Sequence, residues 1–127
     1  MDRYAYSGVA FSAAKNIPNM DLAWCKHPDT GLPLPDIIYF MDIPLEKAAL
    51  RGGFGGERYE NPVFQKIVRE QFRELEIECN NVDPHIWTLI DAGDTIENIA
   101  EGLLIKSKEV IDRTSTKTIR KLWNGQQ

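Results

Sequence analysis

The sequence predicts an α/β protein whose parallel strands are flanked by helices. Two short apolar runs, residues 37–42 and 85–91, have the length and composition of buried strands. A long stretch with apolar residues at three- and four-residue steps lies between them, and a second such stretch follows. Strands that alternate with helices indicate parallel pairing, because a parallel neighbour needs a crossover connection.

The part of the chain before the first strand is mixed in character. Residues 2–15 are expected to form a strand end or loop that enters a short helix. Asn19 is placed to cap a second helix over residues 20–26, because its side chain can accept from free backbone N–H groups. Residues 27–35 hold three of the seven prolines together with Gly31, which predicts an ordered turn.

The first strand and the helices after it are bounded by local signals. The nearly continuous apolar run 37–42 is typical of a central strand with both faces covered. A short helix is expected over residues 45–50. Asn61 and Pro62 then open the longest helix as its cap and first residue, and Pro84 ends it. The apolar face of that helix consists of Phe64, Ile67, Val68, Phe72, Leu75 and Cys79.

The second strand is followed by one more long helix. Asp94 and Glu97 form a pair similar to a capping box at its start. From Arg113 onward we expect a short final helix that carries Leu122 and Trp123. The predicted apolar stripe of the long helix consists of Ile96, Ile99, Leu103, Val110 and Ile111.

Composition excludes several classes of protein. With 15 Lys and Arg against 19 Asp and Glu, the net charge is -4, which argues against a nucleic-acid-binding protein. No apolar run reaches the roughly 18 residues that a membrane span needs. The N-terminus lacks the layout of a signal peptide, so we expect a cytoplasmic protein in which Cys25 and Cys79 stay reduced. Neither cysteine lies near a second ligand at a metal-binding spacing.

Asp2 and Arg3 are the first candidates for chemistry. A guanidinium binds phosphate oxygens with two donors, and a neighbouring carboxylate can hold a water on Mg²⁺. Gly8 lets the backbone approach a ligand closely, and Phe11 offers a face for stacking. A surface ion pair beside a tight turn also accounts for these residues, and this segment by itself favours that alternative.

A glycine-rich segment between Arg51 and Arg58 is the second candidate. Four glycines lie between these two arginines, just before the capped helix. A mobile lid that closes its arginines over a transferred phosphoryl group would need such freedom, and so would a plain solvated loop. The 127 residues contain neither a G-x-G-x-x-G fingerprint nor the P-loop motif G-x-x-x-x-G-K-[ST].

The third candidate follows the second strand at Asp91-Ala92-Gly93-Asp94. Ligands of open α/β sheets gather at the carboxyl ends of the strands. A cap on the next helix also accounts for Asp94.

Taken together, these segments closely resemble the eukaryotic-type thymidylate kinase family, nucleoside monophosphate kinases with a P-loop fold. The resemblance covers nearly the whole chain and implies one domain portion, residues 1–127, with a lid at about 51–61. It implies a partial P-loop kinase fold whose N-terminal strands and P-loop are missing. The matching segments, in order, are Asp2-Arg3-Tyr4, Ser7 to Phe11, Trp24-Cys25, 28–36, Arg51 with 54–60, and Asp91-Ala92.

The resemblance also implies roles for individual residues. Arg3 is similar to the arginine that binds the thymidylate phosphate, and Asp2 to the acid beside the magnesium. Arg51 and Arg58 are similar to the lid arginines. The residues expected along the bound nucleotide are Ser7, Gly8, Phe11, Tyr59 and Gln65.

The implied reaction is phosphoryl transfer from ATP to dTMP, giving dTDP and ADP, with Mg²⁺ bound to ATP. The family implies a homodimer, and the missing portion implies association with a chain that supplies it. The chain alone is expected to be inactive, because the P-loop holds the donor phosphates. The alternative is a non-catalytic fragment that only associates with a partner chain.

Overall fold

The structure, a computed structural model, describes residues 1–42 and 61–123. The predicted short helix over 45–50 lies outside the described residues. No helix within the described ranges has the length and apolar character needed to cross a membrane. The elements are α1 (Ala5–Ala14), α2 (Leu22–Lys26), a 3-10 turn (His27–Asp29), β1 (Ile38–Asp42), α3 (Pro62–Val82), β2 (Trp87–Asp91) and α4 (Ile96–Thr114).

The two strands β1 and β2 pair in parallel, with Ile38 opposite Trp87 and Asp42 opposite Asp91. This confirms the predicted α/β class and the parallel crossover through α3. In the described part of the chain the sheet has these two strands. The expected coverage of both faces is incomplete there, because Leu89 is 53% exposed.

Helices lie on both faces of this sheet. Successive side chains of a strand point to opposite faces. The Phe40 ring contacts Phe72 of α3, with 4.9 Å between ring centroids. The neighbouring Tyr39 hydroxyl lies 2.8 Å from Ser107 Oγ of α4 on the other face. Thus α3 covers one face and α4 is tied to the other.

The long helix α3 begins as the sequence predicts. The Asn61 side chain accepts a hydrogen bond from the Phe64 backbone N–H at 3.1 Å, and Pro62 is the first helical residue. The predicted apolar face is confirmed, because Val68, Leu75 and Cys79 are buried and the other three residues pack against them.

The core lies between α1, α3 and the start of β2. Its most buried large side chains are Val9 of α1, Leu75 of α3, Ile86 and Leu122. Cys25 and Cys79 are both buried and free, which agrees with the expectation of unbridged thiols. Since Leu122 comes from the end of the described chain, the last residues close the core.

The predicted cap of α2 is wrong by two residues. Asp21 is the cap, and its carboxylate accepts a hydrogen bond from the Trp24 backbone N–H at 2.9 Å. Asn19 instead has a left-handed backbone, with φ of 70°, in the turn that precedes the helix. Asparagine tolerates this conformation better than most residues, which explains its presence there.

The predicted helix around Leu122 is also wrong for the described residues. The Leu122 N–H donates to Leu32 O at 2.6 Å, and the Gly31 N–H donates to Leu122 O at 2.8 Å. Lys121 forms an antiparallel bridge with Pro33. Pairing with this proline-rich turn takes the backbone hydrogen bonds that a helix would need, while the Leu122 side chain fills the core.

The start of α4 differs slightly from its predicted capping pair. Thr95 is the cap and accepts from the Asn98 N–H at 3.2 Å, while Asp94 accepts from the Asn98 side chain at 3.0 Å. The predicted stripe is confirmed at the buried Val110. It is wrong at Ile96 and Ile111, which are 78% and 66% exposed.

Candidate functional site

A large cleft lies between the N-terminal segment, α1, β1 and α3. Its volume is about 1160 Å³. Five of the residues predicted for the site line it together, and they come from the N-terminal segment, α1 and α3. These five are Asp2, Arg3, Ser7, Phe11 and Gln65.

Arg3 is positioned at the cleft by the start of α1. Its backbone is left-handed, with φ of 66°, and this conformation is uncommon outside glycine. Its Nη1 donates to Ser7 Oγ at 2.7 Å, and its guanidinium carbon lies 5.5 Å from the centre of the Phe11 ring. Ser7 and Phe11 are one helical turn apart, so α1 presents both to the same arginine.

The Phe11 ring is fixed by two rings of α3. Phe64 lies 6.3 Å from it and Phe72 lies 6.5 Å from it, between centroids. These contacts hold the wall of the cleft where Arg3 sits. They also occupy part of the ring that the sequence offered for stacking.

Gly8 lies on α1 but is not among the residues that line the cleft. It is exposed, and a Cβ at this position would meet nothing within 4 Å among the described atoms. Its predicted close approach to a ligand therefore remains a prediction.

Sequence reasoning missed a pair of charged residues in the cleft. Arg69 Nη2 lies 2.6 Å from Asp42 Oδ1, and both residues line the cleft. Asp42 ends β1 at the carboxyl edge of the sheet, and Arg69 lies one turn after Gln65 on α3. The strand end signals Asp42, but its pairing with Arg69 depends on how α3 packs.

The third sequence candidate, after β2, is a structural turn at the same sheet edge. Asp91 Oδ1 accepts from the Gly93 N–H at 2.8 Å, and the Ala92 N–H donates to Asp42 O at 2.9 Å. Asp91 does not line the cleft. The pKa of Asp94 is lowered by the Asn98 side chain and then by the Thr95 N–H, as a helix start would cause.

Two hydrogen-bonded links form the rim of the cleft near the proline-rich turn. The Tyr4 hydroxyl donates to Pro33 O at 2.7 Å. The Leu34 N–H donates to Arg120 O at 2.8 Å. The N-terminal segment and the last described residues therefore meet at one short stretch of chain.

Three of the predicted site residues, Arg51, Arg58 and Tyr59, lie outside the described residues, as does most of the predicted lid.

One buried polar atom beside the cleft has no partner among the described residues. This is Nε1 of Trp87, a residue that is 8% exposed and lines the cleft. Its ring is stacked on Phe40 at 5.8 Å and meets Tyr6 edge-on at 5.6 Å. An unpaired buried donor is unfavourable and calls for an acceptor.

Comparison of this fold with a solved structure shows the class of protein to which the chain belongs. The solved structure of thymidylate kinase from Candida albicans superimposes with a TM-score of 0.71 and 32% identity, covering 94% of this chain and 59% of that one. The parallel strands, their flanking helices and the cleft are therefore part of a P-loop nucleoside monophosphate kinase fold.

Sequence comparison narrows that class to one family. The family profile for thymidylate kinase matches residues 1–103. Human thymidylate kinase is 42% identical over 123 residues, which cover 97% of this chain and 55% of the human protein. The enzyme from Arabidopsis thaliana is 39% identical over 126 residues, covering 98% of this chain and 44% of the plant protein. The chain belongs to the thymidylate kinase family and spans about half the length of these relatives.

Proposed function

We propose that this chain supplies the acceptor-binding part of a thymidylate kinase, which transfers a phosphoryl group from ATP to dTMP and releases dTDP and ADP. The observation that carries this proposal is the meeting of Asp2, Arg3, Ser7, Phe11 and Gln65 at one cleft in a chain of this family. As a place of action we propose the cytoplasm.

Arg3 is the proposed phosphate ligand. Its guanidinium carries five N–H donors in a planar fork, and the hydrogen bond to Ser7 uses donors of one nitrogen only. The residue is exposed on the cleft wall. Ser7 therefore orients the fork while donors remain for a phosphate.

Gln65 and Phe11 are the proposed contacts for the nucleoside. Gln65 is half-buried on the α3 side of the cleft, and Phe11 stands on the α1 side. An amide that accepts and donates, facing an aromatic wall, suits a pyrimidine base with its own donors and acceptors. Gly8 is proposed to leave room beside the sugar.

Arg51, Arg58 and Tyr59 are proposed to belong to a lid. The support is their sequence context, because four glycines between two arginines permit a segment that closes over a charged ligand. Positive donors at the transferred group stabilise its developing charge.

Mg²⁺ is the metal that this reaction implies. Within the described residues, no three side chains of metal-binding type form a cluster. Kinases hold Mg²⁺ largely through the phosphates, with one or two carboxylates from the protein. A single carboxylate, that of Asp2, is therefore enough to contact the ion through a water molecule. When bound with ATP, the ion neutralises phosphate charge.

The donor phosphates are proposed to bind to the part of the kinase that this chain does not span. The 127 residues contain no P-loop motif, and the human relative extends well beyond the matched portion. The same observation favours a second candidate function, that of a non-catalytic chain that only associates with a partner, either a second copy or the remaining part of the kinase.

Calorimetric titration of the chain with dTMP and with thymidine separates the two candidates. We expect Arg3→Ala to weaken dTMP binding about 10- to 100-fold, as the loss of a charged hydrogen bond predicts. Arg3→Lys should weaken it less, because the charge remains while the fork is lost. Thymidine binding should stay unchanged in both variants, because thymidine has no phosphate.

Arg113→Ala is the matched control, since Arg113 is exposed on α4 and does not line the cleft. It should bind dTMP like the unchanged chain. If the unchanged chain binds dTMP no better than thymidine, the acceptor role is wrong and the non-catalytic candidate is favoured.

A further inference from the structure

Asp42 and Arg69 join the end of β1 to the start of α3 inside the cleft. Asp42 Oδ1 lies 2.6 Å from Arg69 Nη2, and both residues line the cleft. The backbone of Asp42 is fixed in the sheet, because its carbonyl accepts from the Ala92 N–H at 2.9 Å. The carboxylate therefore belongs to a strand end that is held in place, and it binds the guanidinium of a helix.

Gln65, Arg69 and Phe72 form one stripe along α3. Their spacing of four and three residues places them on the same face of the helix, and all three line the cleft. Phe72 contacts the Phe40 ring of β1 at 4.9 Å, and Arg69 binds Asp42 one turn earlier. Gln65 lies one turn further toward the helix start, so within this stripe the ion pair is the neighbouring contact with β1.

The other side of this helix start is held by an aromatic contact. Phe64 lies 6.3 Å from the Phe11 ring of α1, between centroids. Val68 is 3% exposed and belongs to the core. The first two turns of α3 are therefore held from the α1 side by Phe64 and from the sheet side by Arg69, and they carry Gln65 between these two contacts.

The exposure of the ion pair indicates what it contributes. The Arg69 and Asp42 side chains are 45% and 36% exposed, and pairs this open to water contribute little to stability. A guanidinium bound to a carboxylate does restrict the distance between the two elements that it joins. The pair therefore acts on the position of the helix start more than on the stability of the fold.

The two arginines that line the described part of the cleft differ in their partners. Arg3 donates to the neutral Ser7 hydroxyl, whereas Arg69 is paired with the Asp42 carboxylate. A carboxylate beside a guanidinium neutralises its charge and repels a phosphate. Phosphate binding is therefore left to Arg3, and Arg69 is suited to a different role.

We propose that Arg69, held by Asp42, is a positioning residue that sets the Gln65 amide in the acceptor cleft, and through it the nucleoside part of dTMP. The pair itself touches no substrate atom. It holds the start of α3 at a fixed distance from the sheet edge, so the Gln65 amide meets the base in one orientation. This role rests on the proposed function, since Gln65 is the nucleoside contact proposed there.

Calorimetric titration of the full 127-residue chain with thymidine and with dTMP tests this role. We expect Arg69→Leu to weaken both ligands by the same factor, about three- to tenfold, as for a lost hydrogen bond. Asp42→Asn should weaken thymidine binding as much as Arg69→Leu does. Arg69→Lys keeps a cation beside Asp42 and should recover most of the affinity. Arg73→Leu removes the same charge from the next turn of α3, at an exposed residue outside the cleft, and should bind both ligands unchanged.

Double variants show whether Arg69 acts through Gln65. Gln65→Ala should weaken thymidine binding by itself, and adding Arg69→Leu should then have no further effect. Additive losses would overturn the proposal, because they mean that the two residues act independently. A loss of dTMP binding by Arg69→Leu with thymidine binding unchanged would also overturn it, since that pattern is typical of a phosphate ligand. The proposal is equally wrong if Arg69→Leu binds both ligands as Arg73→Leu does.

A measurement without ligand separates this proposal from the proposed function. In NMR spectra we expect the Gln65 side-chain amide signals to shift in Arg69→Leu and Asp42→Asn but not in Arg73→Leu, while the backbone amide signal of the buried Leu75 stays in place. The melting temperature should fall by no more than about 4 °C, as for an exposed pair.

The outcomes of this measurement are distinct. Unmoved Gln65 signals, or shifts that extend to Leu75, would overturn the positioning role, because the pair would then do nothing at Gln65 or support the core as a whole. Shifted Gln65 signals in a chain that binds dTMP no better than thymidine would leave the positioning of Gln65 standing and the proposed function wrong.

Discussion

Lys26 and Glu78 offer a sharp test of how the core is held together. Lys26 Nζ lies 2.5 Å from Glu78 Oε1, and the side chains are 10% and 42% exposed. The ammonium also lies 5.7 Å from the centre of the Trp123 ring. The pair joins α2 to α3, and its cation belongs to a buried residue of the described chain.

The expected cost of Glu78→Gln follows from this geometry. Breaking a fully buried pair costs about 3–5 kcal/mol, and an exposed pair contributes about 0.2–1 kcal/mol. Because Lys26 is buried but Glu78 is partly open to solvent, we expect a loss of about 2 kcal/mol in the free energy of unfolding. For a domain of this size that lowers the melting temperature by about 8 °C. Urea unfolding followed by tryptophan fluorescence measures it.

Two controls make the result decisive. Glu74→Gln changes an exposed residue of the same helix and should alter stability by less than about 0.5 kcal/mol. The double variant Lys26→Met, Glu78→Leu removes both charges and should recover to within about 1 kcal/mol of the unchanged chain. If Glu78→Gln changes the free energy of unfolding no more than Glu74→Gln does, the buried ammonium of Lys26 does not need its partner. The same conclusion follows if the double variant is as unstable as Glu78→Gln.

Three other expectations follow from the sequence and the structure. The chain alone should release no ADP from ATP and dTMP, because its residues hold no P-loop motif, and turnover near about 1–100 s⁻¹ in a coupled assay would contradict this. Burial, and next the charge of Asp83, raise the pKa of Cys79 to about 11. Alkylation of this thiol by iodoacetamide at pH 8 should therefore be much slower in the folded chain than in urea, and it should accelerate toward pH 11. Equal alkylation rates in the folded and unfolded chain would count against this raised pKa. The His85 N–H, followed by Arg120, lowers the pKa of Asp83. The Asp83 carboxylate therefore stabilises the fold at pH values above its unfolded pKa of about 3.9, and this contribution is lost as the pH falls through the lower pKa of the folded chain. Asp83→Asn should flatten this acid limb of the urea midpoint, and identical pH profiles would refute the assignment.

Local sequence signals predicted much of the fold. Asn61 and Pro62 fix the start of α3 through adjacent backbone groups, so no distant contact is needed. The two strands are recognisable by their apolar runs, and their parallel pairing follows from the helix between them. Arg3 and Ser7 are predicted together because they lie only four residues apart, Arg3 just before α1 and Ser7 in its first turn.

The features that the sequence did not predict depend on contacts between distant segments. Leu122 is not helical because its backbone pairs with Leu32, far earlier in the chain, and no local pattern records that pairing. Arg69 reaches Asp42 only once α3 has packed on β1. The unpaired Trp87 nitrogen is likewise visible only after the surrounding side chains are placed.

The hydrogen-bonded rim of the cleft determines when this part of the chain can finish folding during its synthesis. Tyr4 and Arg120 bond to the same proline-rich turn, so this part of the cleft combines nearly the first and nearly the last described residues. On a ribosome, α1 and α3 emerge long before Arg120, and Leu122 follows later still. The rim therefore forms only when synthesis of this stretch is almost finished, and such late closure of long-range contacts is slow. Until that moment the open core is exposed to chaperones and to other chains.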